Sequence, residues 1–318
     1  MILNILGLIA GLVVLYFGAE WLVRGASSLA LRFGIRPIIV GLTVVALGTS
    51  MPEFLINLFA AFSGEDDLAF GNIVGSNIYN IALILGLSAL VMPLFVSAKT
   101  LRKEYPIMLL VMFVFFGMSL DGQISRVDGF LLTAGLVAFL LYIIIDTKRH
   151  SSRAKLNEVV ELPDPNTLMP MWKKVVYIVG GIIFLGVGAR LMVWGAKEIA
   201  VVLGIDEIII GLTIVAIGTS LPEMAASVVS AMKNESEMSF GNVLGSNILN
   251  VLFVVGVVSL IRPLSVEPSS IDVHMPIMLV FCVVLFPIGW RGTISRFEGG
   301  LLLAGFLSYL FYLLMPYV

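Results

Sequence analysis

This 318-residue chain is poor in charge, histidine and cysteine, and each shortage excludes a class of protein. Charged residues make up 13% of it, about half the share usual in a soluble domain, so an ordinary water-exposed globule is excluded. The net charge of −2 supplies no concentrated basic surface, which excludes a nucleic-acid partner. The single cysteine, Cys282, cannot close an internal disulfide, and His150 and His274 are the only histidines. No His/Cys cluster can therefore form for zinc or copper, and any metal ion handled here is bound by oxygen. Neither a cofactor nor an obligatory protein partner is implied.

Apolar residues, in contrast, make up 59% of the chain and gather in long runs. The first run, Ile2 to Val23, has no basic residue before it and meets Glu20 and Arg24 only at its far end. A cleaved signal peptide has the reverse order, so this run is expected to be a retained span. Spans are expected at 2–23, 36–62, 69–94, 105–120 and 127–146, and again at 173–193, 206–232, 239–262, 274–290 and 297–315. The expected fold is an all-α integral membrane protein of ten transmembrane helices, with the lipid bilayer as its partner.

The chain contains itself twice. Ala46 to Glu53 (ALGTSMPE) returns as Ala216 to Glu223 (AIGTSLPE), and Phe70 to Asn80 (FGNIVGSNIYN) returns as Phe240 to Asn250 (FGNVLGSNILN), at one constant offset. Five spans per repeat is an odd number, so the second repeat enters the bilayer from the opposite side, giving two inverted-topology five-helix repeats. The first repeat is 1–146, the second 173–318, and between them the polar, proline-bearing stretch 147–172 reads as a cytoplasmic linker. On this topology all the Lys and Arg residues except Arg126, Arg190, Lys197 and Arg262 fall on one face. That face is cytoplasmic by the positive-inside rule, which leaves both termini on the extracellular or periplasmic side of the cell membrane.

A carboxylate within a span costs at least about 2.5–3.5 kcal/mol, so Glu53 and Glu223 point to function; one structural hydrogen bond would not call for two of them. Pro52 and Pro222 deny a hydrogen bond to the carbonyls of Gly48 and Gly218, which opens each helix beside its glutamate. Freed carbonyls at membrane depth face protein, water or a cation, and the hydroxyls of Thr49, Ser50, Thr219 and Ser220 stand next to them. In the second block Asn72, Ser76 and Asn80 share one helical stripe, matched by Asn242, Ser246 and Asn250. Its glycines, Gly71, Gly75, Gly241 and Gly245, suit close helix packing, whereas the asparagines read either as ion ligands or as interhelical glue. Two fixed negative charges among neutral oxygens suit a hard cation such as calcium or sodium. When calcium leaves, the buried charges need sodium or protons in its place, which is the physical root of obligatory exchange.

On these motifs the chain resembles the sodium/calcium exchanger group of the calcium/cation antiporter superfamily, whose two inverted repeats carry Gly-Thr-Ser-x-Pro-Glu and Gly-Asn-x-x-Gly-Ser-Asn. The resemblance implies ten helices, a core made of the second, third, seventh and eighth spans, and two slanting helices, the first and sixth, that move across it. It implies exchange of sodium for calcium by alternating access. By motif position it implies ion ligands at Glu53, Glu223, Thr49, Thr219, Ser50, Ser220, Ser76, Ser246, Asn80 and Asn250, with backbone carbonyls at Ala46 and Ala216. Asn250 stands where some relatives, including potassium-dependent ones, carry aspartate, and this weakens the case for potassium. Sodium coupling is favoured over a proton/calcium antiporter, because the motifs differ from the proton-coupled pattern.

Two other classes are weighed against this reading. An intramembrane hydrolase with Ser50 or Ser220 as nucleophile needs a positioned base, and neither histidine lies near a motif, so the chain is not expected to be an enzyme. A passive cation channel fits the oxygen ligands, yet channels usually form a pore between subunits, whereas this duplication builds its site within one chain. The glycines of the first and sixth spans, Gly7, Gly11, Gly18, Gly180, Gly181 and Gly188, are expected to keep faces smooth for sliding over the core.

Overall fold

The computed structural model describes residues 2–157, 169–203 and 216–315, with only the backbone at 149–157 and at Ala216. Helix α1 is Ile2–Phe33, α2 Pro37–Thr49, α3 Met51–Ser63, α4 Asp66–Val91, α5 Glu104–Ser119 and α6 Arg126–Asn157. The second half runs α7 Met171–Val202, α8 Ala216–Thr219, α9 Leu221–Met232, α10 Ser236–Ile261, α11 Ser270–Gly289 and α12 Arg296–Leu314. Among the described residues four two-residue strands punctuate the helices: β1 Leu94–Phe95, β2 Gln123–Ile124, β3 Leu264–Ser265 and β4 Thr293–Ile294.

Seven of the described helices are long and apolar enough to cross a membrane, and the pair α2 and α3, bent by 45°, makes an eighth. Of the other two expected spans, 105–120 is the 16-residue α5, roughly 24 Å of helix against a hydrocarbon core of about 30 Å. The remaining span, 206–232, is described only from residue 216, as α8 and α9; its first part lies outside the described residues. Several helices outrun their apolar runs. Helix α1 continues past Val23 to Phe33, and α6 passes residue 146 to end at Asn157. The added residues include Ala, Leu, Lys and Arg, which hold a helix in water as readily as in lipid. Part of the expected linker, 158–168, lies outside the described residues.

Burial divides the helices into two kinds. Helices α4 and α10 have 78% of their apolar stretch buried, whereas in α1, α6, α7 and α12 only 22% is buried. An apolar face that is not buried in protein needs lipid, so the first pair forms the interior and the others the periphery. The buried core joins α4 to α10 and to α5, α11 and α12 through Phe70, Phe115, Phe240, Met108, Met275 and Phe306. Phe70 and Phe115 lie 5.4 Å apart, ring centre to ring centre, within that core.

The two halves pair reciprocally through their strands. Leu94 pairs with Ile294, while Ile124 pairs with Leu264. Since Leu264 and Ile294 are the repeat counterparts of Leu94 and Ile124, each contact exists twice with the halves exchanged. Helices α1 and α7 also lie against each other and meet at glycines. A Cβ on Gly18 would come within 2.7 Å of the Leu185 nitrogen, and one on Gly188 within 2.6 Å of the Leu15 nitrogen. These glycines, expected to keep faces smooth for sliding over the core, instead close α1 on α7. Only a residue without a side chain lets the two backbones approach so far.

Candidate ion-binding site

Each Gly-Thr-Ser-x-Pro-Glu copy breaks its helix at the serine. Ser50 has φ −82° and ψ 5° between α2 and α3, and Ser220 has φ −89° and ψ 5° between α8 and α9. Pro52 and Pro222 fit the first turn of the new helix because the N–H they lack has no intrahelical partner there anyway. Glu53 and Glu223 fall in that same first turn, where the positive end of the helix favours a negative charge. Both are buried, at 1% and 2% exposed. The protein's own helix ends therefore offset part of the cost of holding two carboxylates out of water.

The two breaks meet across the repeats. Ser50 Oγ donates to Glu223 Oε1 at 3.0 Å, and Ser220 Oγ donates to Glu53 Oε1 at 3.5 Å. Helix α3 packs against the turn Asn250–Val255, and α9 packs against Tyr79–Leu85, so each glutamate helix lies on the asparagine turn of the other half. Phe54 and Phe253 stack at 4.8 Å beside one of these contacts. Both turns are π-helical, with Asn250 at the start of one and Asn80 second in the other. Such wide turns often occur at functional sites, and here they carry the asparagines singled out from the sequence.

Among the buried side-chain atoms without a hydrogen-bond partner are Oε2 of Glu53 and Glu223, Oγ of Ser76 and Ser246, and Oδ1 of Asn80 and Asn250. All are oxygens, and they form repeat-related pairs. A buried polar atom left unpaired costs about 1–3 kcal/mol, so a set of this size is a large burden on a marginally stable fold unless a ligand takes it up. Among the described residues no three His, Cys, Asp or Glu side chains cluster, so the charge here rests on two carboxylates among neutral oxygens. That donor set fits a hard cation carried as substrate.

Other motif residues are engaged differently. Thr49 Oγ1 donates to the Val45 carbonyl at 3.1 Å and stands 3.3 Å from the Ala46 carbonyl, which accepts from the Ser50 nitrogen at 2.9 Å. The Thr49 hydroxyl has one proton, so while it goes to Val45 only the Ser50 N–H occupies the Ala46 carbonyl, and a second lone pair remains there for a ligand. Thr219 is buried at the end of α8, and Ala216 begins that helix with its side chain outside the described residues. Asn242 Nδ2 donates to Ser227 Oγ at 2.9 Å and to the Glu223 carbonyl at 3.3 Å. A cavity of about 700 Å³ lies behind the breaks, lined by Pro52, Ile56, Leu185, Arg190, Gly218 and Pro222. Neither glutamate lines it, and its walls are mostly apolar.

Some polar residues at the site stood outside the expected ligand set. Asn57 Nδ2 donates to the Glu53 carbonyl at 2.7 Å, and Ser227 holds the equivalent position beside Glu223. Asn77 and Asn247, both fully buried, hydrogen-bond across the halves to Asn250 and Asn80. The available signal was their repetition: a polar residue four places after each glutamate, and an Asn after each Gly-Ser. Asn77 and Asn247 lie one residue off the Asn72–Ser76–Asn80 stripe and its repeat, so helical spacing alone does not group them with it.

The geometry defines a duplicated protein of long apolar helices around buried, unpartnered oxygens, and comparison with known proteins gives its class. The family model described as sodium/calcium exchanger protein matches residues 3–145 and again 173–315, once in each half. The putative antiporter CaxA of Alkalimonas amylolytica is 38% identical over 307 residues, covering 95% of each chain. The sodium/calcium exchanger MaX1 of Methanosarcina acetivorans is 30% identical over 351 residues, covering 98% of this chain and 99% of that one. A solved structure of the sodium-calcium exchanger NCX_Mj, soaked without sodium or calcium, superimposes with a TM-score of 0.83 at 34% identity, covering 98% of this chain and 99% of the other. The chain belongs to the sodium/calcium exchanger family. It is a multi-pass membrane antiporter of cations, in a family of transporters.

Proposed function

We propose that this protein is a secondary active antiporter that exchanges sodium for calcium across the cell membrane by alternating access. The observation that carries the reading is the set of unpartnered buried oxygens on Glu53, Glu223, Ser76, Ser246, Asn80 and Asn250, contributed equally by the two halves. Ser50, Ser220, Thr49, Thr219 and the carbonyls of Ala46 and Ala216 complete the proposed ligand set from the same turns. Two carboxylates balance one calcium ion; when it leaves, sodium ions must replace it, because a bare pair of buried charges is too costly to leave uncompensated.

Ten spans in two inverted repeats, 1–146 and 173–318 joined through 147–172, fit the strand pairing. Strands β1 and β2 are separated by α5, which as a span sets them on opposite faces; each pairs with the other's repeat counterpart, as a two-fold axis in the membrane plane requires. With the basic residues cytoplasmic, both termini lie outside.

The test is calcium-45 uptake by vesicles containing the purified protein. An outward sodium gradient should drive uptake and a matched proton gradient should not. Uptake driven equally well by protons assigns the chain to the proton-coupled branch. Release of loaded calcium without any counter-ion makes it a channel.

A further inference from the structure

Beyond the atoms proposed to touch the ion, a second layer of the site consists of two crossed amide pairs. Asn80 Nδ2 donates to Asn247 Oδ1 at 2.9 Å, and Asn250 Nδ2 donates to Asn77 Oδ1 at 3.2 Å. Asn247 and Asn250 are the repeat counterparts of Asn77 and Asn80, so one arrangement occurs twice with the halves exchanged. All four side chains are at most 1% exposed, and water does not compete for these bonds.

An amide is polar end to end, and its orientation decides what it offers a cation. With the nitrogen of Asn80 and of Asn250 committed outward, the oxygen of each is the free end, and both oxygens are unpartnered. Turning either amide over would set its oxygen against the oxygen of Asn247 or Asn77, an acceptor facing an acceptor. The outer asparagines are themselves held. Asn77 Nδ2 donates to Met112 Sδ at 3.8 Å; Asn247 Nδ2 donates to Met108 Sδ at 3.9 Å and to the Asn77 carbonyl at 3.5 Å. Turning them over would put an oxygen against a thioether sulfur, which can only accept. Two relays therefore run inward from α5, each in the order sulfur, outer amide, inner amide, free oxygen.

We infer that Asn77 and Asn247 are positioning residues: they fix the amides of Asn250 and Asn80 so that oxygen, not the NH2 group, faces the transported cation. The inference rests on the proposed reading of Asn80 and Asn250 as ion ligands. An NH2 group turned inward would present partial positive charge to calcium or sodium, so the relays set cation affinity without contacting the ion.

The test is a double-mutant cycle read by calcium-45 binding to purified protein. Asn247→Leu keeps the approximate shape but removes the acceptor that orients Asn80, and should weaken calcium binding about tenfold or more, as loss of an orienting partner commonly does. In an Asn80→Asp background both oxygens of residue 80 are equivalent and no orientation is needed. There the same Asn247→Leu change should weaken binding less than about threefold, well below the loss it causes next to Asn80. A merely structural role for Asn247 would give the same loss in both backgrounds, and that outcome overturns the inference, as does no loss in either. The parallel cycle, Asn77→Leu with and without Asn250→Asp, decides the question if an Asn247 variant does not fold. Wild-type protein that shows no saturable calcium binding would instead overturn the ion-site reading. Saturable wild-type binding left unchanged by Asn247→Leu and Asn77→Leu overturns only the relay.

Discussion

Ser50 Oγ donates to Glu223 Oε1 at 3.0 Å, so the broken helix of one repeat holds the carboxylate of the other. The reverse bond, Ser220 Oγ to Glu53 Oε1, is longer at 3.5 Å. The proposed site is thus shared between halves, and its two sides are not equally tight.

That inequality predicts unequal serine variants. Ser50→Ala removes a well-formed hydrogen bond to a charged group, of a kind that contributes about 1.5–3 kcal/mol, whereas Ser220→Ala removes a weak one. Calcium affinity measured by isothermal titration should fall about tenfold or more for Ser50→Ala and less for Ser220→Ala. Equal losses would mean that the two serines act only as direct ligands.

Glu53→Gln and Glu223→Gln should each abolish sodium-driven calcium-45 uptake while leaving the amount of folded protein nearly unchanged. Each variant removes one of the two charges that balance the ion, and a buried glutamine is less costly than a buried carboxylate. Near wild-type uptake by either variant would remove that residue from the ligand set.

Helices α1 and α7 should move as a unit. Their backbones meet at glycines, and Trp21 stacks on Phe184 at 5.0 Å, whereas Glu20 of α1 pairs at 3.0 Å with Lys233, the residue just past the end of α9. A cross-link between cysteines at 21 and 184 should leave exchange intact. One between cysteines at 20 and 233 should stop exchange while calcium binding stays measurable. Full exchange with the second cross-link verified would show that α1 need not move relative to α9.

Gly188→Val should destabilise the protein by about 1–3 kcal/mol, since its new side chain meets backbone that cannot move aside. The Cβ would stand 2.6 Å from the Leu15 nitrogen, whereas at Gly186, on the same helix, it would meet no described atom within 4 Å. Thermal unfolding in detergent should show a clear drop for Gly188→Val and little change for Gly186→Val. Equal drops would point to a general loss of helix flexibility in place of a local clash.

Much of the candidate site was legible because duplication repeats its chemistry. Glu53 with Glu223, and Pro52 with Pro222, are costly within a membrane, and a second copy of each turns an oddity into a pattern. Less legible was which oxygens would be spare. Thr49 and the Ala46 carbonyl belong to the same motif as Glu53, yet local hydrogen bonds engage them, while Ser76 and Asn80 are left without a partner for their oxygens. Nor does spacing reveal a π turn, so Asn77 looked like a neighbour of the stripe, not the partner of Asn250.

The sequence by itself determined the membrane setting, the doubled motifs, the opening of each helix beside Glu53 and Glu223 and the burial of two carboxylates. These follow from local chemistry: apolar length, the missing N–H of proline and the cost of charge in lipid. Only the tertiary structure decided that each serine serves the opposite glutamate, that glycines join α1 to α7, and that Asn77 and Asn247 face Asn250 and Asn80. Those contacts join residues far apart along the chain, and their distance and direction arise from how the two halves pack, which no local rule of spacing or propensity contains.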